Sequence, residues 1–96
     1  MPFVLKFEEG ALSEWNKLDK SVREPLKKKL TKRLENPHVP NERLSGSLKN
    51  CYKIKHNKTG HRLVYQVIDA EVIVLVLAID KREDLQVYLS AATRIT

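Results

Sequence analysis

Apolar residues recur along this chain in two different periods. Phe3, Leu5 and Phe7 alternate with Val4 and Lys6, the pattern of a strand with one face toward a core, bounded by Pro2 and by Glu8-Glu9. Ala11, Leu12, Trp15 and Leu18 then return at helical spacing, which predicts a short helix ending near Asp19. Val22, Leu26, Leu30 and Leu34 form a stripe at four-residue intervals, opposed by Lys27, Lys28, Lys29, Lys32 and Arg33, so a second helix follows until Asn36-Pro37 stops it. Ser21 and Glu24 have the spacing of a capping box, which puts Pro25 in the first turn, where a missing N–H is tolerated. Residues 36–50, holding Pro37, Pro40 and Gly46, read as an ordered loop.

Alternation resumes at residues 51–55 and sorts their side chains: Tyr52 and Ile54 point toward the core, while Cys51, Lys53 and Lys55 point the other way. Asn57-Lys58-Thr59-Gly60 supplies a turn, and residues 62–68 form the next strand. A two- or four-residue loop centred between Lys58 and Thr59 places Lys55 directly across from Arg62; a three-residue loop breaks that pairing. Residues 69–71 turn the chain, and the continuous apolar run 72–79 predicts a strand covered on both faces in the middle of a sheet. Residues 84–95, with Leu85, Tyr88, Leu89, Ala92 and Ile95, read as a terminal helix. The order β-α-α-β-β-β-α predicts one small α+β domain over residues 1–96. Its N-terminal helical hairpin and other helices lie on one face of a largely antiparallel sheet, and a basic cluster lies on the other.

Charge sharpens this picture. Arg43, Lys49, Lys53, Lys55, Lys58 and Arg62 lie between Glu42 and Asp69 with no acid among them, so one segment carries the whole net charge of +6. A positive field so confined suits a protein that acts on a polyanion through one face. The lysine run at 27–29 has acids close by in sequence and reads as a solvated helix face with a supporting role. Cys51 is the only cysteine, which excludes an internal disulfide and a Cys-rich zinc site, and the run 72–79 is far short of the ~20 residues that span a bilayer. Composition therefore points to a soluble cytoplasmic protein with no membrane partner.

An ordered set of motifs carries a family likeness. Glu14-Trp15 with Leu18, the Leu-rich basic helix ending at Asn36-Pro37, Arg43-Leu44-Ser45-Gly46 and Cys51-Tyr52-Lys53-Ile54-Lys55 are followed by Gly60-His61-Arg62-Leu63-Val64-Tyr65-Gln66-Val67, then Lys81-Arg82-Glu83 and Val87-Tyr88. The chain resembles, end to end, the RelE toxins of the RelE/ParE superfamily of bacterial type II toxin–antitoxin systems. That resemblance implies a ribosome-dependent endoribonuclease that cuts mRNA in the A site of the 30S subunit. It also implies a cognate RelB-like antitoxin that holds the toxin inactive and a toxin–antitoxin complex that binds operator DNA. By the same resemblance Lys53, Lys55, Arg62, Arg82 and Tyr88 fall on the family's functional positions. Two residues depart from its pattern: Asp80 stands where a small residue, often Gly, is expected, and His61 where Tyr is frequent.

The chemistry expected of such a site is short. RNA carries its own nucleophile, the 2′-OH, so the protein must align it, remove its proton, stabilise the added negative charge and assist the leaving 5′-oxygen. Lys55 is the expected general base, because crowding by other cations favours the neutral amine that accepts a proton. Arg82 is expected to stabilise or protonate the leaving group, Lys53 and Arg62 to bind phosphate with Lys49 and Lys58 flanking them, and Tyr88 to orient the 2′-OH or stack on a base. Asp80, Glu83 and Asp84 are the only local carboxylates and suit a helix start equally well, so neither a metal nor a cofactor is expected. His56 and His61 alternate away from the lysine face and are expected to be surface residues. Two other functions compete: a ParE-like toxin that inhibits DNA gyrase by contact, and a simple RNA- or DNA-binding module.

Overall fold

The computed structural model describes residues 2–81 and 86–95. Strand β1 (Val4–Phe7) leads into helices α1 (Glu9–Asn16) and α2 (Lys20–Glu35), then β2 (Cys51–His56), β3 (His61–Ile68), β4 (Ile73–Lys81) and helix α3 (Gln86–Arg94). Short 3-10 turns occupy Pro40–Glu42 and Asp69–Glu71. The sheet order is β1-β4-β3-β2, with β1 parallel to β4 and the other pairs antiparallel. The apolar run in β4 thus lies centrally, flanked on both sides, as its composition requires.

One helix start is capped by a side chain, and one differs from the sequence expectation. Glu8 caps α1, its carboxylate accepting from the Ala11 amide at 3.0 Å. Helix α2 begins one residue before Ser21, after Asp19 in extended conformation, so Ser21 and Glu24 lie inside the helix and form no capping box. Pro25 therefore sits in the second turn, where the Ser21 carbonyl loses its helical donor. Ser21 is exposed, and water can replace that bond.

The sheet has a core on each face. Val22, Leu26 and Leu30 of α2 and Ala11 of α1 pack with Tyr52, Ile54, Leu63, Tyr65 and Val76 on one side. Val87 and Ala91 of α3 pack with Cys51, Val64, Leu77 and Ala78 on the other. The C-terminal helix thus lies opposite the helical hairpin and shares its face with the predicted basic cluster, instead of joining the other helices. Alternation lets β4 serve both sides, and a bulge shifts its parity: Val64 pairs with Ala78 and Tyr65 with Val76, leaving Leu77 extra, so that Leu77 and Ala78 both belong to the α3 core.

The bulge lies where β1 has run out. Glu8 donates its amide to the Val76 carbonyl at 2.9 Å, and beyond that point side chains take over. Arg94 donates to the Leu77 carbonyl at 2.9 Å, and Glu14 accepts from the Ile79 amide at 2.9 Å. The same two side chains pair with each other at 3.1 Å, and Arg94 lies 3.5 Å from Glu8. Gly10 makes room: a Cβ there would stand 2.7 Å from the Arg94 guanidinium.

Candidate functional site

The hairpin fixes the site. His56 pairs with His61 across a four-residue loop, which puts Lys55 directly opposite Arg62 and Lys53 opposite Val64. On the far side Arg62 pairs with Asp80, so Lys55, Arg62 and Asp80 form one row across three strands. Lys53 and Lys55 share the α3 face with Cys51, but Cys51 is fully buried under that helix while the two lysines and Arg62 are only half-buried. Like charges directly opposite cost a few tenths of a kcal/mol or more, so fold stability does not account for the Lys55–Arg62 pair.

The remaining predicted positions divide. Lys58 is exposed in the hairpin loop beside the Lys55–Arg62 pair. Lys49 lies in the turn before β2, at the opposite end of that strand from Lys55, with about 13 Å of strand from Cys51 to Lys55 between them. Tyr88 stands on α3, partly buried against the second core. Arg82, Glu83 and Asp84 lie outside the described residues, which contain no group of three or more His, Cys, Asp or Glu side chains able to hold a metal.

Sequence reasoning missed the α2 side of the site. A cleft of about 320 Å³ runs along the outer rim of β2, bordered by Lys29, Lys32, Arg33, Glu42, Lys55 and Asn57. Four cations against one carboxylate make this rim strongly positive, so the basic face of α2 joins the strand cations instead of standing apart in solvent. The Lys29 ammonium donates to the Lys55 carbonyl, and Arg33 donates to the Lys53 carbonyl at 3.2 Å and to the Tyr65 hydroxyl at 2.9 Å. Tyr65 in turn donates to the Pro37 carbonyl at 2.7 Å. The signal in the sequence was the spacing of Lys29 and Arg33, one helical turn apart on one side of the stripe.

Histidines play other parts. His61 and His56 pair away from the lysine face, and burial, Lys81 and His56 all lower the pKa of His61, so it is neutral near pH 7. His38, which the sequence did not single out, bonds the Tyr52 hydroxyl at 2.7 Å and Asp69 at 2.8 Å, tying the 36–43 loop to the turn after β3. Burial pushes the Cys51 thiol up to about 11, so it is not the nucleophile of a reaction at neutral pH.

Comparison with known proteins adds an independent line. The family model described as the ParE toxin of type II toxin–antitoxin system, parDE, matches residues 5–86. Over 95 residues, 99% of each chain, the sequence is 50% identical to the mRNA interferase toxin RelE of Escherichia coli and to the mRNA interferase RelE of Shigella flexneri. The structure of a double arginine-to-alanine mutant of E. coli toxin RelE in the free state superposes with a TM-score of 0.91 at 49% identity, each chain covered in full. The toxin of the intact E. coli RelBE toxin–antitoxin complex does so at 0.81 and 51%, covering 84% of this chain and 98% of its own.

Proposed function

Since this chain belongs to the ParE-type toxin family of type II toxin–antitoxin systems, we infer that it is the toxin of such a pair and an endoribonuclease that cleaves mRNA. Its partner is an antitoxin of the RelB kind, as in the complexes formed by its structural relatives. Cleavage depends on the ribosome and takes place in the A site of the 30S subunit. The toxin–antitoxin complex binds operator DNA. The observation that carries the nuclease reading is the direct pairing of Lys55 with Arg62 on a half-buried face, an arrangement unfavourable to folding and suited to a phosphodiester.

The reaction is internal transfer. The 2′-oxygen forms a bond to phosphorus, the bond to the 5′-oxygen breaks, and the products are a 2′,3′-cyclic phosphate and a 5′-hydroxyl end. Lys55 accepts the 2′-OH proton, and Arg62 with Lys53 offers donors to the equatorial phosphate oxygens as their negative charge grows. Arg82 stabilises or protonates the leaving oxygen, and Tyr88 orients the 2′-OH or stacks on a base. Lys58 extends the phosphate contacts beyond the pair, while Lys49 contributes at most to the distant field. No metal is needed for these steps, because the nucleophile belongs to the substrate and the cations to the protein.

The gyrase reading has one support, the description of the matching family model. A single pair of assays separates the two. Purified protein added to message with and without ribosomes, with ends mapped by primer extension, is expected to cut only in the presence of ribosomes and to leave gyrase supercoiling untouched. Inhibition of gyrase without any cut message would overturn the nuclease assignment.

A further inference from the structure

Strand β2 is an edge strand, and its carbonyls facing away from β3 need partners from elsewhere. All three have one. Cys51 accepts from the Leu44 amide at 2.9 Å, Lys53 from Arg33 and Lys55 from Lys29. The fit is metric: Lys29 and Arg33 are four residues apart on a helix, roughly 6 Å, and their acceptors are two residues apart on a strand, roughly 6.6 Å. Helix and strand therefore match repeat for repeat over this stretch. Arg33 is itself fixed by the Tyr65 hydroxyl, with its guanidinium carbon 5.8 Å from the centre of the Tyr65 ring.

We propose that Lys29 and Arg33 are positioning residues for RNA cleavage, bracing the backbone of the edge strand so that Lys53 and Lys55 present their amines in a fixed register against Arg62. The brace rests on the nuclease function inferred above and adds to it a role for a helix face that looks merely solvated. A carbonyl accepts a hydrogen bond without cancelling the donor's charge, so the same two side chains hold the strand and keep the rim positive. Placement of a catalytic amine is sensitive to small displacements, whereas uniform attraction of RNA is not.

The two effects separate in kinetics. Arg33→Lys keeps the charge and loses the forked contact to Lys53 and Tyr65, and Lys29→Met removes an exposed side chain that contributes nothing to either core. Both variants are expected to lower kcat for ribosome-dependent message cleavage about tenfold or more with KM within about twofold, since displacement of an aligned group acts on the chemical step. The backbone carbonyl ¹³C resonances of Lys53 and Lys55 are expected to shift in the matching variant, and Lys29→Arg is expected to restore kcat. Unchanged kcat despite shifted carbonyl resonances overturns the brace. So does raised KM with a flatter salt dependence at parental kcat, which would make these cations RNA ligands only. If Arg33→Lys unfolds at the assay temperature, Lys29→Met decides. Failure of the parent itself to cut message would instead refute the nuclease assignment, and is read from the same experiment.

Discussion

Two of the stretches where the sheet's backbone lacks a strand partner are closed by charged side chains, in electrostatically opposite ways. Along β2 the donors are Lys29 and Arg33, whose charges no acid in those contacts neutralises. Along β4, past the end of β1, the donor is Arg94 and the acceptor is Glu14, and the two neutralise each other. Both solutions satisfy buried or half-buried backbone groups, whose orphaning is costly. Only the first leaves a positive rim, and it is the one beside Lys55. The same backbone need is thus met by a neutral clasp where structure alone is at stake and by bare cations where a polyanion must come.

The comparison breaks most visibly on the β2 side. Lys55→Ala removes the proposed base while leaving its carbonyl for Lys29, so message cleavage is expected to fall about 10²-fold or more. Stability holds or rises by a few tenths of a kcal/mol as the repulsion from Arg62 disappears, which denaturant titration of the same sample checks. Cleavage at the parental rate would deny Lys55 its role.

On the β4 side the effect is on stability. Arg94→Ala strips the Leu77 carbonyl of its donor and leaves Glu14 and Glu8 without their cation, at an expected cost of about 2–3 kcal/mol in denaturant unfolding. A loss below about 0.5 kcal/mol would show that water replaces the clasp.

Alkaline pH sharpens the contrast. The Cys51 thiol on β2 is raised by burial from 9.0 to about 11, so the folded chain holds a proton that the unfolded chain releases. Its contribution is complete below pH 9 and is lost as pH rises through about 11, roughly 3 kcal/mol in all. Arg94, held up chiefly by its bond to Glu14, keeps its charge throughout that window. Unfolding free energies of the parent and Cys51→Ala, measured from pH 8 to 11, are expected to converge toward the alkaline end. Parallel curves would contradict the shift.

The smallest effect is a reversal of sign. Gly10→Ala should improve α1 by up to about 1 kcal/mol through helix propensity, yet in the parent it is expected to destabilise because the new Cβ displaces the Arg94 guanidinium. Introduced into Arg94→Ala, the same change should stabilise. A double-mutant cycle in denaturant tests this, and an unchanged sign would mean that Gly10 is not there for the clasp.

Much of this was legible in the chain. Alternation placed Lys53 and Lys55 on one face, while the opposition of Lys55 to Arg62 was conditional on an even loop, and the four-residue loop at 57–60 meets that condition. The apolar run in β4 announced a central strand, but not that Leu77 is a bulge, since a run without polar residues carries no parity to reveal a slip. That hidden residue puts two neighbouring side chains, Leu77 and Ala78, into the α3 core. The brace was hidden for another reason. Lys29 and Arg33 reach backbone carbonyls, which every residue possesses, so no partner residue type marks the contact. The capping box at Ser21 failed because the helix already starts after Asp19, which is extended and makes no side-chain cap bond.

Asp80, paired with Arg62, gives the row across the strands a direction. From the outer strand inward its charges run positive, positive, negative, so the positive field of the row is strongest at the rim and falls toward β4. The row is thus a graded field, with its two cations gathered over β2 and β3 and its one carboxylate on the central strand.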